Sequence, residues 1–130
     1  MVLTMKKRRK FLSGFNFALQ GIIYCIQNER HMRFHIFAAA IALLFGWYLN
    51  ISGMEWLILV FSITLVIVLE MINSAIENTI DMFTNEYHPL AEVAKNVAAG
   101  AVLVAALNAL VVGAVVFLPK LFNFLSNANF

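Results

Sequence analysis

From Val97 to Pro119 the chain runs 23 residues without Asp, Glu, Lys or Arg. A helix needs about 20 consecutive apolar residues to cross a bilayer core about 30 Å thick, so this stretch is long enough for one span. Two further stretches read the same way. Phe34 to Met54 is uncharged over 21 residues and carries the Trp47–Tyr48 pair, which suits a membrane–water interface. Trp56 to Leu69 is uncharged over only 14 before Glu70 interrupts, but apolar helix formers continue to Ile80. The 130 residues are 62% hydrophobic and 12% charged, against about 25% charged in ordinary soluble domains. That excludes a soluble globule and predicts an all-α integral membrane protein. Cys25 is the one cysteine, so an internal disulfide and a Cys-rich metal site are excluded. A formal charge of +2 is too small to imply nucleic acid.

The expected organisation is one membrane domain over 1–130: an N-terminal amphipathic surface helix over 1–30 and transmembrane helices over about 33–50, 55–81 and 95–119, packed in an oligomeric bundle. The basic run Lys6, Lys7, Arg8, Arg9, Lys10 precedes Phe11, Phe15, Leu19, Ile22, Ile23 and Ile26, which recur at three- and four-residue spacing. Such a helix lies in the membrane interface. It does not read as a signal peptide, because Asn16 and Gln20 break the apolar run and no small-residue cleavage site follows. Asn50-Ile51-Ser52-Gly53 predicts a tight turn between the first two spans, and the polar stretch Met82 to Glu92, with Pro89, connects the second to the third. Lys and Arg concentrate before Phe34, with Lys95 on the same side and Lys120 alone on the other. The positive-inside rule then puts the N-terminus and the Met82–Glu92 connection in the cytoplasm and the C-terminus outside, in a multi-pass protein of the inner cell membrane. Ala101, Ala105, Ala109 and Gly113, and Ala38, Ala42 and Gly46, form small-residue stripes that let helices approach closely in lipid. Asn108, polar and mid-span, is expected to hydrogen-bond across a helix interface.

An ionisable residue inside the membrane costs at least about 2.5–3.5 kcal/mol at a helix centre and marks a candidate site. Glu70, Asn73, Ser74, Glu77 and Asp81 are offset from the first by 3, 4, 7 and 11. At about 100° per residue all five fall on one stripe, which runs about 16 Å along the helix. Leu69, Met71, Ile72 and Ile76 form the other face. Three inward carboxylates repel unless a cation or protons sit among them, and hard oxygen ligands select Mg²⁺ or Ca²⁺. Three membrane-spanning helices per chain make too thin a bundle to shield Glu70 and Glu77 from lipid alone, so oligomerisation is expected on physical grounds. Asn28-Glu29-Arg30 and Ala94-Lys95-Asn96 fall at the same level, and Lys95 near a helix N-terminus suits phosphate. No phosphate loop, dinucleotide fingerprint or protein-kinase motif is present. An ion or proton relay would also use such a column, but it should continue into the far half of the bilayer, where Trp56 to Leu69 offers only Ser62 and Thr64.

Glu70 to Asp81, read as E-M-I-N-S-A-I-E-N-T-I-D, resembles the signature of the prokaryotic diacylglycerol kinase family, with Asn28-Glu29, Ala94-Lys95 and Ala98-Ala99-Gly100-Ala101 similar to its flanking elements. The resemblance covers nearly the whole chain. Phe15 to Gly21 and Val97 to Leu103 are most similar to the undecaprenol kinase branch. The resemblance implies an ATP- and Mg²⁺-dependent kinase of a membrane lipid alcohol at the cytoplasmic interface, acting on undecaprenol or, alternatively, on diacylglycerol to give phosphatidic acid. It further implies that Glu70 is the general base, that Asn73 positions the lipid hydroxyl and the phosphate with Ser74 on the same substrate side, and that Glu29 and Glu77 hold Mg²⁺ against the ATP phosphates. Lys95 would neutralise phosphate charge, and Asp81 would belong to the same ATP-side cluster. A homotrimer with sites shared between subunits is implied too. Position 96 departs from the family pattern: Asn96 stands where Asp is usual.

Overall fold

The computed structural model describes residues 2–83 and 86–128, with side chains placed from 13 onward to 126; the side chains of Lys6 to Lys10 and of Phe11 lie outside the described residues. Four helices follow one another: α1 (Val2–Asn28), α2 (Arg30–Tyr48), α3 (Gly53–Phe83) and α4 (Pro89–Ala128). By length and apolar composition α3 and α4 are each able to cross a membrane. The molecule is an all-helical membrane protein.

The chain breaks between α1 and α2 at Glu29, whose backbone is extended (φ −94°, ψ 119°). Side chains close the break from both sides. Asn28 donates its amide to the Tyr24 carbonyl at 2.9 Å, and the Arg33 guanidinium donates to the carbonyls of Gln27 at 2.7 Å and Ile26 at 3.4 Å. The Arg33 bonds occupy carbonyls that the last turn of a helix leaves without partners.

The expected turn at Asn50–Gly53 is built from two motifs. Asn50 takes a left-handed backbone (φ 48°), which its short polar side chain tolerates. Its N–H donates to the Trp47 carbonyl and the Ile51 N–H donates to that of Gly46, the paired bonds of a Schellman cap. Ser52 and Glu55 then form a reciprocal capping box: the Ser52 N–H donates to Glu55 Oε2 at 2.6 Å and the Glu55 N–H donates to Ser52 Oγ at 3.3 Å. Helix α2 therefore stops at Tyr48, short of the expected 50. Gly46 packs tightly against the turn and the start of α3; a Cβ there would lie 3.0 Å from Ile51 Cδ1 and 3.1 Å from the Trp56 ring.

Helix α4 differs from expectation at both ends. It starts at Pro89, not at 95, because proline has no N–H to lose and a preset helical φ in a first turn. It continues through Pro119 to Ala128. The hydrogen bond that Pro119 cannot make is one missing step in a long ladder, a defect that membrane helices accommodate. Just beyond it Lys120 pairs with Glu55 at 3.2 Å, tying α4 to the start of α3. Near that end Ile51, Leu59 and Val116 form the apolar core, with Phe45 and Phe117 meeting edge to face at 6.2 Å. Of the α4 stripe, Ala105 is buried and Ala109 and Gly113 are half-buried, while Ala101 is exposed. The exposed side chains Phe15, Phe17, Ile22 and Ile23 leave the apolar surface of α1 uncovered by protein, as a helix lying in the membrane interface requires.

Candidate active site

The stripe read along α3 is graded in burial. Glu70 is 3% exposed and Ser74 1%, Asn73 is 9% exposed, Glu77 is half-buried and Asp81 is exposed. Cys25, in the last turn of α1, is buried against Ser74 on this stripe, and Met32 in the first turn of α2 is buried as well. Within one chain Glu70 is thus covered, whereas Glu77 remains half-buried. The reason is the corner at Glu29, which folds α1 back over α3 so that α1 acts as a further wall.

The groups whose charge bears on Glu70 are His35 and His31 from α2, Glu29 from the corner and Glu77 from α3 itself. Glu29 makes no capping hydrogen bond with its side chain. Asn73 donates its amide Nδ2 to Glu77 Oε1 at 3.0 Å. That bond fixes the amide orientation, since only the NH₂ side can face a carboxylate. Asn73 Oδ1 is left buried without a partner, and an orphaned buried acceptor costs about 1–3 kcal/mol. It is a vacancy for a donor, lying one turn from Glu70. Ser74 donates its hydroxyl to the Glu70 carbonyl at 3.0 Å, a local helix bond. Beside them, burial above all, with the Glu29 charge adding to it, raises the Cys25 thiol above its usual range. A buried, protonated thiol is a packing group and a poor nucleophile.

At the exposed end of the stripe, Lys95 and Asp81 pair at 2.5 Å, joining α4 to α3. Because α4 begins at Pro89, Lys95 sits in its second turn and not among the open N–H donors of a helix start; its phosphate-binding capacity is its ammonium group alone. Asp81, Lys95 and Asn96 line a cavity of about 550 Å³ with Tyr87, His88 and Glu92. A second, apolar cavity of about 620 Å³ runs between α2, α3 and α4 from His35 past Ser62 and Val66 to Phe117. The expected site residues therefore fall into two groups: Glu29, Glu70, Asn73, Ser74 and Glu77 at the covered end, and Asp81, Lys95 and Asn96 at the open end.

Among the described residues no three His, Cys, Asp or Glu side chains gather into a metal cage. Two carboxylates, Glu29 and Glu77, lie near enough to Glu70 for their charge to bear on it. Such a pair could hold Mg²⁺, which keeps waters and takes its remaining ligands from phosphates.

A helical membrane protein with a buried carboxylate in one helix, a polar cavity at the end of that helix and an apolar groove between the helices has the parts of an enzyme acting on membrane lipids. Residues 16–117 match the sequence profile of the prokaryotic diacylglycerol kinase family, and the chain belongs to that family. It is similar to an undecaprenol kinase of Bacillus subtilis (41% identical over 112 residues, 86% of this chain and 91% of the relative). It is also similar to a diacylglycerol kinase of Synechocystis (35% identical over 111 residues, 85% of this chain and 63% of the relative) and to one of Escherichia coli (28% over 102 residues, 78% and 84%). The chain is a lipid kinase.

Sequence reasoning missed His31, His35, Cys25 and Met32 as the surroundings of Glu70. The only available signal was that they flank Glu29 in the chain.

Proposed function

We propose that this kinase phosphorylates undecaprenol, using ATP and Mg²⁺, at the cytoplasmic face of the inner cell membrane. Supporting this choice of lipid is the Bacillus subtilis relative, 41% identical and matched over nearly its full length. The observation that carries the chemistry is the orphaned Asn73 Oδ1 beside buried Glu70, an acceptor and a base within one turn. Diacylglycerol, named for the Synechocystis relative, is the second reading.

In the proposed reaction the incoming lipid hydroxyl first donates to Asn73 Oδ1; its proton then passes to Glu70 as the oxygen attacks the terminal phosphoryl group of ATP and the bond to the leaving ADP breaks. Ser74 keeps the turn around Glu70 rigid on the substrate side. The lipid chain lies along the apolar groove toward Phe117, so that only its head reaches Glu70. When bound, Mg²⁺ screens the phosphate charge; Glu29 and Glu77 hold it. Lys95 turns from Asp81 to the phosphates, and Asn96 lines the same nucleotide cavity. Phosphoryl transfer is catalysed chiefly by such positioning and charge stabilisation. The basic N-terminus and the connection between the second and third spans are cytoplasmic and the C-terminus is outside, with α2 as the first of three spans. The working assembly is a homotrimer.

Purified protein in detergent, given labelled ATP, Mg²⁺ and either lipid alcohol, should phosphorylate undecaprenol in preference to diacylglycerol. Label on diacylglycerol alone selects the second reading. Glu70→Gln should still bind nucleotide while its transfer rate falls about 10²–10⁴-fold, the usual worth of a general base; retained turnover removes Glu70 from that role.

A further inference from the structure

Tyr24 and Asn78 belong to neither end of the site, yet they join the helices that carry it. The Tyr24 hydroxyl on α1 donates to Asn78 Oδ1 on α3 at 3.2 Å, across 54 residues of sequence. Asn78 Nδ2 donates to the Ser74 carbonyl at 2.8 Å, which fixes Oδ1 as the side facing Tyr24. At its other end Tyr24 accepts the Asn28 amide on its carbonyl, and the Glu29 N–H donates to the neighbouring Cys25 carbonyl at 2.9 Å. Three hydrogen bonds, joined through the covalent frames of Asn78, Tyr24 and Asn28, thus lead from the turn of α3 bearing Ser74 and Glu77 to the corner beside Glu29. Most of the large apolar side chains of α1 face outward, so α1 has few other ties to set its height and rotation against α3. A carboxylate on a chain break, not spent on capping, keeps its place only if the corner beneath it is fixed.

We propose that Tyr24 and Asn78 are positioning residues that hold Glu29 in register with Glu77, so that the two carboxylates meet one divalent cation. The inference rests on the reading that Glu29 and Glu77 share that cation. Neither Tyr24 nor Asn78 touches the reacting groups. Tyr24→Phe keeps the ring and removes only the donor; Asn78→Ala removes the acceptor.

The test is Mn²⁺ binding to the full-length protein in micelles, followed by loss of the free-ion electron paramagnetic resonance signal, alongside the Mg²⁺ dependence of lipid phosphorylation. Each single variant should weaken Mn²⁺ binding about two- to tenfold, the range of one neutral hydrogen bond. The double variant should be no weaker than either single one, and KM for the lipid alcohol should not move. A role confined to folding would lower the amount of protein without changing the affinity of the folded fraction. Glu77→Gln separates the two ideas. If it weakens Mn²⁺ binding and Tyr24→Phe does not, the positioning role is wrong and the cation site stands. If Glu77→Gln leaves Mn²⁺ binding unchanged, the cation site and the positioning role fall together. Additive losses in the double variant also overturn the coupling. Should Tyr24→Phe fail to fold, Asn78→Ala reads the same bond from α3.

Discussion

Lys95 is drawn to Asp81 at 2.5 Å, and both side chains are partly open to water, 36% and 61% exposed. An exposed pair of this kind contributes at most about 1 kcal/mol. Separating it to let Lys95 meet a phosphate is therefore a small cost, well within what several phosphate charges offset. Asp81 reads best as a parking place for Lys95. Asn96 lines the same cavity without a charge. A carboxylate at 96 would offer a hard oxygen to the cation that accompanies ATP, so Asn96→Asp is expected to raise turnover severalfold in the labelled-ATP assay. An unchanged rate would show that this cavity works without a charge at that position.

Helix pairing turns on Gly46, where the Ile51 side chain and Trp56 ring stand at about the closest contact a Cβ could tolerate. A larger side chain must push α2 off α3 at the Schellman turn. Gly46→Leu should destabilise the protein by about 1–3 kcal/mol, the usual cost of overpacking, read as a lower midpoint of thermal unfolding in detergent. An unchanged midpoint would mean that the turn relaxes freely. The helices themselves were legible in the sequence because uncharged stretches this long have no other stable form in a bilayer. Their ends were less so. Ser52-x-x-Glu55 is a capping box that can be read directly, but the polar turn hid it. Pro89 lies in a polar stretch that composition assigns to a connection, whereas its fixed φ and missing N–H suit the first helical turn it occupies. The α3 stripe was legible from spacing alone, since Glu70, Asn73, Ser74 and Glu77 share a face by helical periodicity. What covers it was not. The break at Glu29 carries no Gly or Pro, and it depends on Arg33 reaching back to carbonyls six and seven residues earlier, a contact that sequence spacing does not announce.

Taken whole, the molecule leaves much apolar surface uncovered, which lipid explains, and among the described residues an exposed side-chain amide that lipid does not. Asn108 sits mid-helix on an exposed face of α4. A side-chain amide in hydrocarbon without a partner costs several kcal/mol by solvent-transfer measures, whereas a hydrogen bond across a helix interface in a membrane returns about 0.6 kcal/mol on average and up to about 2. The shielding of Glu70 within one chain removes the need for neighbours to keep the base from lipid, so any assembly must be driven from elsewhere on the surface. Asn108 is the polar candidate within a span. In mild detergent the particle should have three times the 14.6 kDa mass of the chain, measured by light scattering corrected for detergent. Asn108→Leu removes the interhelical bond while keeping the side chain's bulk, and it should move the population toward smaller species on dilution. If the mass of the variant stays at the wild-type value through the same dilution series, Asn108 faces water or headgroups instead, and the contact that joins the subunits lies on another face.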